Sequence, residues 1–373
     1  MSSVPILTTE QEVTELTLRL MQEESVAIDL EMDALHSYQE KICLAQISSS
    51  VETVIIDPIA GADLAPLAPL FASDAIRKIF HAADYDLRSL KRDYGFVVNN
   101  LFDTMVSAQL CGEDKIGLAD LLQKYFSIEL DKKYQRADWS QRPLKAEMVH
   151  YAAEDTRHLH RLVAILEKQL QELGRTDWVE EECRILEGVA FAVNSGPLFL
   201  RFKGAGRLER HQLAILEELL QWRDQEAARR NRPHFMVIGN KSIQAIAQQA
   251  PKTRNALAGC EGINDRLIER YGKNMLACVE KAAAIPEEDW PHFPRTARTQ
   301  KDPQAERILV KLKKWRLDKA EEFKLDPGVL INNAQLEAVS RIRPTRLKEL
   351  ATIKGLRQWQ VSEMGSELVA LIG

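Results

Sequence analysis

The sequence predicts an α/β domain over residues 1–190, followed by two all-helical modules at 208–288 and 302–373. Three observations carry this. Apolar residues alternate with period two early in the chain, a helical period dominates after about residue 209, and one helical pattern occurs there twice. A chain of 373 residues is also too long for one ordinary core.

Residues 26–31 (VAIDLE) place Val26, Ile28 and Leu30 on one face of a strand and Ala27, Asp29 and Glu31 on the other. Strands follow at Ile42–Ile47 and Val54–Ile56, the latter stopped by Asp57-Pro58, and the short connections predict an antiparallel meander. Ile76–Phe80 reads as a further strand. Asp84–Tyr94 reads as a helix, with Asp84 as its N-cap, and Asp103 as the cap of the next one. Residues 146–173 read as one long helix ended by Gly174. In the rear half, residues 209–284 and 303–372 have matching lengths, and each has a Trp-Arg pair (222–223 and 315–316) near the end of its first long helix. The proline-rich stretch 285–304 between them reads as a linker.

Composition narrows the function classes. No apolar run reaches the ~18 residues of a membrane span, and the N-terminus lacks the basic and apolar regions of a secretion signal. The five cysteines are scattered without a CxxC pair, so neither a zinc site nor a disulfide framework is expected, in keeping with a cytoplasmic protein. Residues 1–190 hold 19 Lys and Arg against 33 Asp and Glu, whereas residues 191–373 hold 31 against 22. An acidic front and a basic rear suit chemistry through carboxylates and retention of a polyanion, respectively.

The candidate chemistry lies in the acids. Asp29 and Glu31 share one strand face, and Tyr151 and Asp155 share one helix face. Asp86 follows the strand at 76–80, with Asp84 as the competing acid of that segment. Four converging carboxylates repel one another and raise each other's pKa unless cations neutralise them. All-oxygen ligands suit Mg²⁺ or Mn²⁺, and two such ions about 3.5–4 Å apart form a clamp for in-line displacement at phosphorus. A phenol with an ordinary pKa of about 10 is a poor base, so Tyr151 is expected to orient the attacking water.

AIDLE (27–31), KICLAQI (41–47), FHAADYDL (80–87), LFDTMVSAQL (101–110), DWSQRPL (138–144) and YAAEDTRHL (151–159) together resemble the bacterial ribonuclease D family, in the tyrosine subgroup of the DEDD exonuclease superfamily. The resemblance covers essentially the whole chain. It implies a ribonuclease H-like mixed five-stranded sheet with helices on both faces, followed by two HRDC domains. WRDQEAARRNRP (222–233) looks standard for the first HRDC domain, and the second is more divergent. It further implies that Asp29 bridges two metal ions, that Glu31 and Asp155 hold the nucleophile-side ion, and that Asp86 holds the other. The implied activity is 3′→5′ hydrolysis of RNA to 5′-mononucleotides, on precursor tRNA 3′ ends and other small stable RNAs. Separately from the resemblance, the protein is expected to be a monomer.

Several residues keep two readings. Asp103 is a helix cap or an acid supporting the site, and His81 touches substrate or is satisfied at a strand end. Arg136, Arg142 and Lys145 are candidate phosphate contacts, and Trp139 stacks on a base or packs. Arg229, Arg230 and Arg232 guide RNA or end a solvated helix. Two alternatives to the exoribonuclease reading are a DNA exonuclease using the same acids and a catalytically silent nucleic-acid-binding module.

Overall fold

The structure, a computed structural model, describes residues 4–33, 35–135, 137–192, 196–294 and 302–372. Its sheet has six strands: β1 (Ile6–Leu7), β2 (Ser25–Met32), β3 (Ile42–Ser48), β4 (Thr53–Ile56), β5 (Arg77–Phe80) and β6 (Leu101–Asp103). Their order is β1-β4-β3-β2-β5-β6. β2, β3 and β4 form the expected antiparallel meander. β5 adds parallel to β2, β6 parallel to β5, and β1 parallel to β4. β1 and β6 escape the period-two reading because two or three residues hold too little alternation to register. β2 therefore lies inside the sheet, with β3 on one side and β5 on the other, which puts its two acids near the middle of the domain.

Helices cover the sheet: α1 (Glu10–Leu20), α2 (Ala68–Ala72), α3 (Asp84–Tyr94), α4 (Thr104–Cys111), α5 (Leu118–Phe126), α6 (Ala146–Arg157), α7 (Leu159–Leu173) and α8 (Thr176–Glu187). α1 starts at a capping box in which Thr9 and Glu12 satisfy each other's backbone, and it buries Val13, Leu16 and Leu20. The single helix expected over 146–173 is two helices, broken at His158. Thr156 is buried and its hydroxyl bonds to Ser48 of β3 at 2.7 Å, so α6 is tied to the sheet, while α7 packs with α4. The apolar period runs through the break unchanged, which is why the sequence conceals it.

The helical rear is a duplication. α9 (Arg210–Arg230), α10 (His234–Val237), α11 (Asn240–Gln249), α12 (Arg254–Ala258) and α13 (Asp265–Ala283) are matched in order by α14 (Pro303–Phe323), α15 (Pro327–Leu330), α16 (Asn333–Ile342), α17 (Leu347–Leu350) and α18 (Gln358–Ile372). The two Trp-Arg pairs explain their own recurrence. Arg223 donates to the Ile238 carbonyl and to Asn240, and Arg316 donates to the Ile331 carbonyl and to Asn333. In both copies this arginine ties the first long helix to the start of the ten-residue helix. Residues 295–301 of the expected linker lie outside the described residues.

The chain forms two compact units, Met1–Met32 with Ile42–Phe191 and Lys301–Gly373, and Asp33–Lys41 with Ala192–Gln300. In the first unit, the second helical copy shares one hydrophobic core with the α/β domain. Trp178 of α8 stacks on Trp359 of α18 with centroids 4.2 Å apart, and Arg175 donates to the carbonyls of Leu110 and Phe323. In the second unit, the first helical copy has its own core, and Tyr38 joins it by donating its hydroxyl to Asp224 at 2.8 Å.

Candidate active site

Asp29 and Glu31 point to the face of β2 that α6 covers. α6 is laid there by apolar packing of Met148, Ala152 and Ala153 with Leu44 and Ile55, and by the Ser48–Thr156 bond. Once the helix is so placed, the residues one turn apart on its flank, Tyr151 and Asp155, face the strand acids. Carboxylate oxygens of Asp29, Glu31 and Asp155 lie within 4.8 Å of one another. Asp86 enters from α3 and is 8% exposed.

The field within this cluster is strongly unfavourable to charge. Burial lifts the Asp29 carboxyl to about 7, against the opposing effect of a hydrogen bond with the Leu30 backbone. Burial, then the charge of Asp29, lifts Asp155 to about 8. Glu31 is raised well above the carboxylate range by burial and by the charges of Asp29, Asp155 and Asp86. Asp86 is likewise raised, by burial and the charges of Asp29 and Asp103. Burial and the neighbouring carboxylates push the Tyr151 phenol upward too, so it stays protonated. Among the described residues no Lys or Arg forms an ion pair with any of the four acids. Closely placed carboxylates without a protein counter-charge are what a cation site requires, and the donor set is all oxygen.

The two acids of α3 separate cleanly. Asp84 is exposed and pairs with Arg88 at 2.8 Å; it stands inside the helix and does not cap it. The N-cap position belongs to Ala83, and the acid that serves this end comes from elsewhere in the fold. Buried Asp103 accepts from the backbone N–H of Ala82 at 3.0 Å and of Ala83 at 2.7 Å. The same carboxylate caps α4 through Met105 and Val106. Asp103 is thus a cap, as its place before α4 predicts, and it also holds the turn from which Asp86 projects. His81 is half-buried and satisfied by the Thr104 hydroxyl at 2.9 Å.

The candidate substrate contacts divide. Trp139 is 1% exposed and packs 6.1 Å from the Tyr151 ring, so of its two readings the structure places the packing one. Arg142 is held by Asp57 and by the carbonyls of Trp139, Gln141 and Cys43. That use of the guanidinium turns it inward, against the reading as a phosphate contact. Asp57 was legible only as a strand stop; its pairing with Arg142 had no local signal. Lys145 is exposed at the N-cap of α6, one turn and a half before Tyr151. Arg136 lies outside the described residues. In the first helical copy, Arg229 and Arg230 both pair with Glu226, and Arg232 rests on the Met236 sulfur.

Comparison with known proteins identifies relatives of the whole chain. Residues 4–171 match the 3′–5′ exonuclease family, and residues 212–279 and 305–372 each match the HRDC domain. Ribonuclease D of Gluconacetobacter diazotrophicus is 31% identical over 371 residues, covering 98% of this chain and 92% of the relative. Ribonuclease D of Acidiphilium cryptum is 30% identical, covering 99% and 93%. Among solved structures, Escherichia coli RNase D superposes with a TM-score of 0.76 over 100% of this chain and 99% of that one, at 23% identity, a likeness of fold. The catalytic core of RRP6 from Trypanosoma brucei matches with a TM-score of 0.66 at 29% identity, covering 76% of this chain and 80% of that one. Among the described residues no helix is long and apolar enough to cross a membrane.

Proposed function

The chain belongs to the ribonuclease D family, and from that premise we propose that Asp29, Glu31, Asp86 and Asp155 hold two divalent ions, Mg²⁺ or Mn²⁺, at which RNA is shortened. The enzyme is a hydrolytic 3′→5′ exoribonuclease, and its products are 5′-mononucleotides. The observation that carries the reading is the convergence of three carboxylates within 4.8 Å, with Asp86 close enough for its charge to act on Glu31 and no ion-paired Lys or Arg at these acids among the described residues.

Asp29 is the central ligand, since it lies on the inner strand and its charge acts on Glu31, Asp86 and Asp155 alike. Glu31 and Asp155 form the side of the site next to Tyr151, where the attacking water belongs. Bound divalent ions supply a lowered pKa for that water and charge stabilisation for the departing 3′-oxygen. The Tyr151 hydroxyl, kept protonated by its surroundings, orients the water by hydrogen bonding and takes no proton from it. Its ring is fixed by Trp139 and Tyr134. Lys145, exposed beside this wall, meets the RNA backbone.

The substrates we propose are precursor tRNA 3′ ends and other small stable RNAs. The protein acts as a cytoplasmic monomer, with the exonuclease domain at 1–190 and HRDC domains at 208–288 and 302–373 that grip RNA. The test is a 5′-labelled RNA with a free or blocked 3′ end, incubated with Mg²⁺, Mn²⁺ or EDTA. The free end should give a ladder shortening from 3′, absent with EDTA and with the blocked end. Asp155→Asn should lower the rate by at least 10³-fold, by analogy with removal of a central catalytic group, and Tyr151→Phe by less. Undiminished activity of the Asp155 variant, or shortening from the 5′ end, would overturn the proposal.

A further inference from the structure

Gln46, in the middle of β3, is fully buried. Neither its amide oxygen nor its amide nitrogen meets a partner among the described residues. β3 is buried along its whole length, and such a strand ordinarily takes apolar residues. Its other polar side chain, Ser48, is satisfied by Thr53 and Thr156. A buried carboxamide with both ends unmatched is rare and calls for a cause, since an apolar residue of the same size would avoid the desolvation cost.

Its register supplies the cause. Gln46 is the residue directly opposite Asp29 in the antiparallel ladder. Directly opposed side chains share a face, with Cβ atoms about 4.5–5.5 Å apart. On its other side Gln46 is opposite Ile55, which is apolar. Above it runs α6. Its alanines Ala152 and Ala153, which have no polar side-chain group, pack in one apolar cluster with Leu44 and Ile55, the neighbours of Gln46 along the strand and across the ladder. Within this enclosure the polar neighbour in register is the Asp29 carboxylate. An ionised carboxylate offers about four lone-pair sites, more than its ligand duties occupy.

We infer that Gln46 is a positioning residue of the active site: its amide N–H donates to the Asp29 carboxylate, directly or through one buried water, and holds it facing Glu31 and Asp155 when the site is loaded with metal. This rests on the reading of Asp29 as a metal ligand. The partners of metal ligands orient them, and their loss commonly weakens metal affinity or activity by about 10–100-fold.

The test compares Gln46→Met, Gln46→Leu and Asp29→Asn with the unsubstituted protein. Thermal melting is followed without metal, Mn²⁺ binding by electron paramagnetic resonance, and kcat and KM on a single-stranded RNA oligomer at saturating Mg²⁺. Both Gln46 variants should melt at or above the unsubstituted temperature, because they remove an unmatched polar group. They should bind Mn²⁺ roughly 10–100-fold more weakly, with a loss in kcat and an unchanged KM. A packing role would reverse this pattern, with a lower melting temperature and unaltered Mn²⁺ affinity and kcat, and would overturn the inference. Failure of both variants to fold would also overturn it, by assigning Gln46 to the core. If Asp29→Asn binds Mn²⁺ normally, the reading of the site fails and takes this inference with it; if it loses Mn²⁺ while the Gln46 variants keep it, this inference alone fails.

Discussion

Asp86 lies buried in the field of Asp29, whereas Asp84, two residues earlier, faces solvent and holds Arg88. The pattern of residues 84–94 admits either acid, because both stand in the first turn and the choice depends on which flank of α3 meets β2. The same holds for Asp29, Glu31 and Asp155. Their shared faces follow from local spacing, but their meeting depends on α6 crossing the sheet. Their raised pKa values have a measurable consequence. A carboxyl whose folded-state pKa is raised keeps a proton that the unfolded chain has already released, so stability falls as pH rises through that window. For Asp29 and Asp155 the window runs from the ordinary 3.8 up to about 7 and about 8. Metal-free protein should therefore lose stability between about pH 4 and pH 8. Divalent ions bind the deprotonated carboxylates, so the rise in Tm caused by Mg²⁺ should be larger at pH 8 than at pH 6. Calorimetric melts with and without Mg²⁺ at the two pH values check this, and equal shifts would contradict it. Gln46 is the residue least legible beforehand: one glutamine in an apolar strand carries no sign of the acid across the ladder.

At the scale of elements, the helices with a clean apolar period were legible, and the joints between them were not. α8 and α18 lie far apart in the sequence, and nothing local pairs Trp178 with Trp359 or gives the N-terminus of α18 its acceptor. Glu181 supplies that acceptor by taking the N–H groups of Gln358 and Trp359, and Arg357 pairs with Glu182. These contacts seat the second helical copy on the α/β domain. Gly112 belongs to the same joint: its φ is +84°, and a Cβ there would lie 2.4 Å from the Lys324 carbonyl oxygen. Trp359 is 5% exposed, so Trp359→Ala should cost about 3–5 kcal/mol of stability, as for other buried aromatics cut to alanine. Denaturant unfolding measures this, and a loss within about 0.5 kcal/mol, the range of surface substitutions, would show that the joint is not a core. The joint between α6 and α7 at His158 has the same character: α6 is held to the sheet by a tertiary bond from Thr156 to Ser48, and the helix ends where local propensity would continue it.

Over the whole molecule, the acidic front and basic rear gain a structural meaning. The negative charge of residues 1–190 includes the four acids that need cations, and the helical copies carry the positive excess of residues 191–373. The duplication was legible because each copy repeats its Trp-Arg pair at the same joint, where the arginine anchors the following helix. The incorporation of the second copy into the first unit was not, since a core shared by distant segments leaves no periodic trace. The central claim is that the four carboxylates hold divalent metal. Anomalous diffraction from crystals of the protein grown or soaked with Mn²⁺ tests it most directly. Two peaks are expected, about 3.5–4 Å apart, bounded by Asp29, Glu31, Asp86 and Asp155. Mn²⁺ peaks elsewhere on an active protein, with none among these four carboxylates, would contradict it.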